Sequence, residues 1–185
     1  MGAEKFAALQ DLLVDLLKYG AAAQTYREYN VEALVTAGLT EEQAALGSVY
    51  AASNNQTVKN NNANGVSFKG TTVYFDNTIS VRFYFTVAEG TTVYAILNGE
   101  EATVRYDGSY GMYYVETAAI SATAFDNAQT LLISANGSFA NMLSVSYDVN
   151  TYAYNRAKKS TDETEVALVK ALYAYGRSAE MLAAK

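Results

Sequence analysis

The 185-residue sequence contains no cysteine, no histidine, no proline and no tryptophan. Without cysteine the chain has neither a disulfide framework nor a thiol nucleophile. Without histidine it lacks the usual general base near neutral pH and the commonest ligand of transition metals. These absences exclude nucleophilic triads and zinc sites of the usual kinds, and the sequence predicts no enzyme activity, no cofactor and no metal.

Basic residues are also scarce. The chain has 13 Lys and Arg against 19 Asp and Glu, a formal net charge of −6. Between Val66 and Asn150 there are three basic residues and eight acidic ones. Because phosphate backbones and anionic membrane surfaces are bound by clusters of Lys and Arg, we expect neither nucleic acid nor a membrane as a partner. No apolar run approaches the roughly 20 residues of a membrane span, and no signal peptide is recognisable.

Hydrophobic residues make up 50% of the chain, and 16 residues are tyrosine. This composition is typical of a folded chain that buries one core. We predict a single domain over 1–185, with helices at 1–50, an Asn-rich loop or edge at 51–65, a β-sandwich at 66–148 and further helices at 150–185.

The two ends of the chain echo each other. LLKYGAAAQ at 16–24 aligns with LYAYGRSAE at 172–180, so that Tyr19 falls on Tyr175 and Gly20 on Gly176. Apolar residues recur every three or four positions in both segments, which predicts helices at about Glu4–Tyr29 and Thr164–Ala184 that pack side by side. The first seam comprises Phe6, Leu9, Leu13, Leu16, Gly20 and Ala23, and the second comprises Val169, Leu172, Gly176, Ala179 and Ala183.

Glycine in the middle of a helix costs about 1 kcal/mol relative to alanine. Gly20 and Gly176 therefore predict a close approach by another backbone or an inserted aromatic ring, with Tyr19 and Tyr175 in the helix contact. A ligand notch at the two Tyr-Gly pairs is the alternative, but glycines in an apolar helical seam usually serve packing.

Capping boxes predict two further helix starts. Thr40 with Gln43 predicts a short helix near Glu41–Tyr50, and Ser160 with Glu163 predicts the start of the last helix. The preceding stretch, 150–159, also has a helical pattern.

Period-two alternation governs 66–148 and is clearest in TISVRFYFTV at 78–87. Asn98-Gly99, Asp107-Gly108 and Asn136-Gly137 predict hairpin turns, with a strand at 102–106 between the first two. The fold class predicted is α+β: a β-sandwich of about seven mostly antiparallel strands packed against helices from both termini.

A set of aromatic and basic residues on the predicted strands is the best candidate for a ligand surface. The ligand contacts predicted within it are Tyr84, Arg82, Tyr94, Arg105 and Tyr113, and the wider set also includes Tyr74, Tyr106 and Tyr110. Flat rings beside polar groups suit stacking of sugar rings. The alternative is that this sheet face is buried or covered by helices, with the tyrosine hydroxyls bonded at the rim.

Other polar residues are better explained by turns. A carboxylate pair among Glu100, Glu101, Asp107 and Glu116 could support glycoside hydrolysis, but charges beside hairpin turns also protect sheet edges. Three Asp/Asn pairs are spaced like calcium ligands, yet none lies in an EF-hand loop, and turn chemistry accounts for them. These pairs are Asp148 with Asn150, Asp76 with Asn77, and Asp126 with Asn127.

The segments LLKYGAAAQTYREYN (16–30), SVSYDVNTYAYNRAK (144–158) and LVKALYAYGRSAE (168–180) carry a resemblance. Together they resemble a recurring module of secreted or surface-attached multidomain proteins of Gram-positive gut anaerobes. The resemblance covers both ends well and the β-region loosely. It implies an extracellular or cell-surface location and neighbouring domains in a longer chain, and it implies no settled activity and no catalytic residues.

The function expected is that of a non-catalytic extracellular module that binds polysaccharide or a host or cell-wall glycan. The alternative is a structural spacer that positions neighbouring domains. A carboxylate-based glycoside hydrolase comes third.

Overall fold

The structure, a computed structural model, describes residues 2–185. Within this part the chain divides into two compact units. The helical unit comprises the chain up to Asn54 together with Ser121–Asp126 and Asn150–Lys185, and the sheet unit comprises Asn55–Ile120 and Asn127–Val149. A single domain over 1–185 stays a prediction.

Helices lie at both ends of the chain, as predicted. They are α1 (Ala3–Tyr26), α2 (Glu41–Ala44), α3 (Val149–Lys159) and α4 (Glu163–Ala183). None of the helices within residues 2–185 combines the length and the apolar character needed to cross a membrane.

The capping box at α2 is confirmed. The Thr40 hydroxyl accepts a hydrogen bond from the Gln43 N–H at 3.2 Å, and the Gln43 side chain accepts one from the Thr40 N–H at 2.9 Å. The helix ends at Ala44 rather than near Tyr50, because the next turn is held by side chains of α1 instead of by helical hydrogen bonds.

The capping box predicted at α4 is wrong. Asp162 caps this helix, since its carboxylate accepts hydrogen bonds from the backbone N–H groups of Thr164 and Glu165. The Ser160 hydroxyl instead donates to the Glu165 carboxylate at 2.5 Å.

The two helical seams behave differently. In α4 the predicted residues Val169, Leu172, Gly176 and Ala179 are buried, and only Ala183 is exposed. In α1 the prediction is wrong: Phe6, Leu13 and Leu16 are 51%, 51% and 43% exposed. The buried residues of α1 are Ala8, Val14, Asp15 and Ala21.

The sheet unit contains two five-stranded antiparallel sheets, which confirms the sandwich. The first sheet has the order β1-β10-β9-β5-β6, with β1 (Thr57–Lys59), β10 (Ser138–Tyr147), β9 (Gln129–Ala135), β5 (Val93–Leu97) and β6 (Glu100–Ala102). The second has the order β2-β3-β4-β8-β7, with β2 (Asn62–Ala63), β3 (Val66–Phe75), β4 (Ile79–Val87), β8 (Met112–Glu116) and β7 (Arg105–Asp107).

Ten strands are present rather than about seven because each sheet ends in two very short strands. The edge strands β1, β2, β6 and β7 have only two or three residues each. Short edge strands offer little template for pairing with another chain, so they protect the protein against edge-to-edge aggregation.

Two of the three predicted hairpin turns are confirmed, and the third is wrong. Asn98-Gly99 and Asn136-Gly137 have positive φ at both positions, as type I′ turns require. Asp107-Gly108 is not a two-residue turn, because Asp107 pairs with Met112 across a longer loop. The strand predicted at 102–106 is also wrong, since β6 and β7 belong to different sheets.

On both sheets, alternate side chains point into one shared core. On β4 the core side chains are Val81, Phe83 and Phe85, each 0% exposed. The facing set on the other sheet includes Leu131, Ile133, Leu143 and Val145, each at most 2% exposed. The intervening residues of β4, including Arg82 and Tyr84, therefore point to the outer face of the second sheet.

Candidate functional site

Antiparallel register gathers polar and aromatic residues on the outer face of the second sheet. Arg82 of β4 lies opposite Glu116 of β8, and Tyr84 lies opposite Tyr114. Tyr114 in turn lies opposite Arg105 of β7. Three of the five predicted ligand residues, Arg82, Tyr84 and Arg105, thus share this face.

The Arg82 side chain contacts three neighbouring side chains. Its Nε donates to Glu116 Oε2 at 3.0 Å, and its guanidinium carbon lies 3.4 Å from the ring centre of Tyr74 and 4.8 Å from that of Tyr114. The Ser80 hydroxyl donates to the other Glu116 oxygen at 2.6 Å. Cation–π contacts and a charge-assisted hydrogen bond therefore hold the Arg82 side chain in place, and they link β4 to both of its neighbouring strands.

Tyr84 supports this face rather than presenting a ring to solvent. It is 9% exposed, and its hydroxyl donates to Asp107 Oδ2 at 3.3 Å. Its ring centre lies 5.8 Å from that of Tyr110, edge to face, and 5.6 Å from that of Tyr114. Burial raises the pKa of the Tyr84 hydroxyl above its ordinary value.

Three exposed tyrosines lie on the β7–β8 hairpin. Tyr106, Tyr110 and Tyr113 are 60%, 67% and 37% exposed, and we call these three residues the tyrosine edge. The Tyr106 ring meets that of Tyr113 edge to face at 5.1 Å, and Tyr113 stacks on the buried Phe85 at 6.3 Å. Tyr106 and Tyr113 are therefore anchored on the core side of the hairpin, whereas Tyr110 packs edge to face on Tyr84 of the outer face.

A polar pocket of about 290 Å³ opens near this hairpin. Its polar side chains are Asn98, Glu100, Glu101, Thr103, Arg105 and Glu116. Arg105 is half exposed, and its Nη1 lies 3.8 Å from Glu116 Oε2. The pocket therefore offers both hydrogen-bond acceptors and a guanidinium donor to a ligand.

The remaining predicted residues lie elsewhere. Tyr113 points to the inner face of the second sheet, opposite to Tyr84 and Arg82, although it belongs to the same hairpin as Arg105. Tyr94 is 53% exposed on β5 of the other sheet, opposite Ser134. The five residues therefore do not form one surface.

Sequence reasoning missed Tyr114 and the Glu116 ion pair. Tyr114 is recognisable as a strand tyrosine, but its position beside Arg82 depends on cross-strand register. Tyr110 reaches Tyr84 only because the β7–β8 loop is longer than a two-residue turn.

In the helical unit, α1 and α4 pack together and Tyr19 stacks on Tyr175, with ring centres 5.8 Å apart and planes at 7°. The glycines meet side chains rather than the partner helix. A Cβ on Gly20 would lie 3.1 Å from a methyl carbon of Val35. A Cβ on Gly176 would lie 3.1 Å from Cγ of Phe125, whose ring fills the space that a ligand notch would need.

A buried carboxylate that the sequence did not suggest joins three segments of this unit. Asp15 is 0% exposed, and its Oδ2 accepts hydrogen bonds from the Ser48 N–H at 2.8 Å and the Ser178 hydroxyl at 2.5 Å. Asp11, one turn earlier, accepts from the Gly47 N–H at 2.9 Å. Among residues 2–185 the other Asp15 oxygen has no hydrogen-bond partner.

Gly47 is required at this place. Its φ is +105°, and a Cβ there would lie 2.8 Å from Cγ of Asp15. Any side chain would both strain the backbone and displace the carboxylate. These contacts explain why the chain leaves the helical path after Ala44.

The carboxylates predicted as catalytic candidates do not form an isolated pair. Both Glu116 oxygens are engaged by Ser80 and Arg82. Asp107 accepts hydrogen bonds from the Tyr84 hydroxyl and the Ser109 N–H. Over the described residues, no three side chains of the His, Cys, Asp or Glu type come together as a metal site.

Comparison with known proteins identifies no relative. No protein-family model, no curated protein and no solved structure matches this chain.

Proposed function

We propose that the chain is a non-catalytic extracellular module of a bacterial surface protein that binds an uncharged or weakly charged polysaccharide. The observation that carries the proposal is the tyrosine edge, three exposed and anchored rings on one short hairpin. An internal spacer role predicts that tyrosines are buried, as Tyr84 is, and gives no reason to expose Tyr106 and Tyr110.

Anchored rings suit a sugar ligand because little side-chain freedom is lost when a sugar ring stacks on them. Tyr113 rests on Phe85 and Tyr106 rests on Tyr113, so the platform is ordered before a ligand arrives. Arg105 and the pocket carboxylates supply polar groups for sugar hydroxyls on the other face of the same hairpin.

Charge restricts the class of glycan. Three carboxylates and one half-exposed arginine line the pocket, and the protein as a whole carries a net charge of −6. Polyanionic glycans would be repelled. Binding should therefore depend little on salt, because screening weakens mainly interactions between charges.

The surface-protein assignment follows from the resemblance of the terminal segments. The non-catalytic assignment follows from the lack of histidine and cysteine and from the engagement of Glu116 by Ser80 and Arg82.

Calorimetry of the 185-residue protein against a panel of plant, mucin and cell-wall polysaccharides tests the proposal. We expect weak, salt-insensitive binding by at least one neutral glycan, reduced at least tenfold by Tyr106→Ala or Tyr110→Ala. Tyr94→Ala is the matched control, because Tyr94 is similarly exposed but lies on the other sheet. Its affinity should equal that of the parent.

Three results contradict the proposal. Binding that Tyr94→Ala removes and Tyr106→Ala spares places the ligand elsewhere. No heat with any glycan leaves the structural spacer as the function. Release of reducing ends by clean protein, abolished by Glu116→Gln, establishes a hydrolase instead.

A further inference from the structure

Two asparagines of the first sheet occupy equivalent places in two hairpins. Asn98 and Asn136 each precede a glycine in a two-residue turn, one closing the β5–β6 hairpin and the other the β9–β10 hairpin. Both asparagines are exposed. Asparagine followed by glycine is a chemically reactive pair, because glycine has no side chain to hinder attack by its nitrogen on the asparagine carboxamide. Each turn therefore presents the same reactive groups to solvent.

Each asparagine is also bound to the neighbouring strand in the same way. The Asn98 N–H donates to the Thr130 carbonyl at 2.9 Å, and the Thr130 N–H donates to Asn98 Oδ1 at 2.8 Å. The Asn136 N–H donates to the Thr92 carbonyl at 2.7 Å, and the Thr92 N–H donates to Asn136 Oδ1 at 2.8 Å. These bonds extend the pairing of β5 with β9 at its two ends, and they restrain the two carboxamide oxygens equally.

The two sites differ at the carboxamide nitrogen. Asn98 Nδ2 donates to Gln129 Oε1 at 2.8 Å, and Gln129 is itself oriented by a hydrogen bond from its Nε2 to the Asn127 carbonyl at 3.0 Å. Asn136 Nδ2 has no hydrogen-bond partner among residues 2–185. The Asn98 carboxamide is therefore held at both oxygen and nitrogen, and the Asn136 carboxamide is held at oxygen alone.

A third Asn-Gly pair, Asn64-Gly65, closes the β2–β3 hairpin. Its carboxamide nitrogen donates to the Ala140 carbonyl at 3.4 Å, and the Gly65 carbonyl accepts from the Ala88 N–H at 2.7 Å. By contrast, nothing lies within 4 Å of a Cβ built on Gly137. Gly65 is therefore held in place by a distant loop, whereas Gly137 faces open space and can rotate toward its asparagine.

We infer that Asn136-Gly137 is a site of spontaneous modification, at which the asparagine converts to aspartate and isoaspartate. The Gly137 nitrogen loses its proton to hydroxide and attacks Asn136 Cγ, and the new C–N bond closes a five-membered succinimide. The Cγ–Nδ2 bond breaks, and the nitrogen takes a proton from water and leaves as ammonia. A water molecule then opens the ring at either carbonyl, so that the whole reaction consumes one water and releases one ammonia.

Conversion changes the charge and the connectivity of the turn. Both products add a negative charge to an exposed position. Aspartate keeps an oxygen for the Thr92 N–H, whereas isoaspartate routes the main chain through the former side-chain carbon and adds one atom to the turn. The pairing of Ala135 with Ser138 depends on a two-residue turn, so isoaspartate should disturb it. The inference concerns the first sheet alone and is independent of the glycan proposal.

Peptide mapping by mass spectrometry tests the inference after the 185-residue protein is incubated at mildly alkaline pH in water enriched in oxygen-18. Cleavage after Arg82, Arg105 and Arg156 places Asn98 and Asn136 in different peptides. Incorporated oxygen-18 marks conversion during the incubation, and methylation by an isoaspartate methyltransferase identifies the isomer. We expect Asn136 to convert about fivefold faster than Asn98, the factor that corresponds to one hydrogen bond of about 1 kcal/mol.

Two comparisons assign the difference to the fold. In guanidinium chloride the three Asn-Gly pairs should convert at equal rates, because all of their hydrogen bonds are lost. In the folded protein, Gln129→Leu removes the acceptor of Asn98 Nδ2 and should raise the Asn98 rate about fivefold with an unchanged circular dichroism spectrum. The Asn136 rate in the same molecules is the matched control, because it rises too if the substitution loosens the whole sheet.

Three outcomes overturn the inference. Conversion of Asn98 or Asn64 as fast as that of Asn136 in the folded protein shows that these contacts do not select the site. An unchanged Asn98 rate in Gln129→Leu removes the cause assigned to the difference. Conversion of Asn136 in guanidinium chloride but not in the folded protein shows that the folded turn protects it.

Discussion

Gly20 and Gly176 occupy equivalent places in the two echoing helices, yet the structure predicts opposite effects of the same substitution. Beside Gly176 lies Phe125, which is 2% exposed and packs edge to face against Tyr175 at 6.2 Å. Beside Gly20 lies Val35, which is 48% exposed and free to shift by a few tenths of an ångström. We expect Gly176→Ala to destabilise the protein and Gly20→Ala to stabilise it.

The magnitudes follow from two competing terms. Alanine is favoured over glycine in a helix by about 1 kcal/mol at both positions. At Gly176 the new methyl group overlaps a buried ring, and such overpacking costs about 1–3 kcal/mol. The net effect is a loss of up to about 2 kcal/mol for Gly176→Ala and a gain approaching 1 kcal/mol for Gly20→Ala.

Urea unfolding followed by circular dichroism measures both free energies, and for a chain of this size 1 kcal/mol corresponds to about 2–4 °C in Tm. Phe125→Leu is the companion change, since a smaller side chain makes room for the methyl group. The double variant with Gly176→Ala should therefore be more stable than the sum of the single effects predicts. The reasoning fails if Gly176→Ala melts above the parent, or if the double variant is additive.

Three further predictions concern buried and bonded side chains. Asp15→Ala should lower the free energy of unfolding by about 2–4 kcal/mol, because two hydrogen-bond donors lose their acceptor. Asp15→Asn keeps one carbonyl acceptor and should lower it less. Equal losses for the two variants in urea unfolding refute this prediction. The Arg156 hydrogen bond lowers the pKa of Glu165, so its stabilisation is present above the unfolded pKa of about 4.3 and disappears as pH falls through the lower folded pKa. Glu165→Gln should be less stable than the parent at pH 7, and the difference should shrink as pH falls through the folded pKa of Glu165; a difference that does not change with pH contradicts the assignment. Burial raises the pKa of Tyr152 to about 12, whereas a tyrosine of the unfolded chain ionises near pH 10. The free energy of unfolding should therefore fall as pH rises from 10 to 12. Tyr152→Phe should reduce that fall, which urea unfolding at alkaline pH measures.

Local chemistry decided much of the fold before any tertiary contact. The α1 and α4 helices follow from a 3.6-residue period, and β4 follows from strict alternation. The Asn98-Gly99 and Asn136-Gly137 turns follow from residues that tolerate positive φ. Each of these signals depends on neighbours a few residues apart, so it can be seen in the sequence alone.

Contacts between distant residues decided the rest. Periodicity located the Phe6–Leu16 seam but not the side of α1 that is buried, because that depends on where the Asp15 carboxylate finds Ser48 and Ser178, 33 and 163 residues away. In the same way, strand register places Arg82 opposite Glu116 and so pairs the two side chains. The periodicity of apolar residues shows that a helix or strand has an apolar face. Which part of the protein that face contacts depends on residues distant in the sequence.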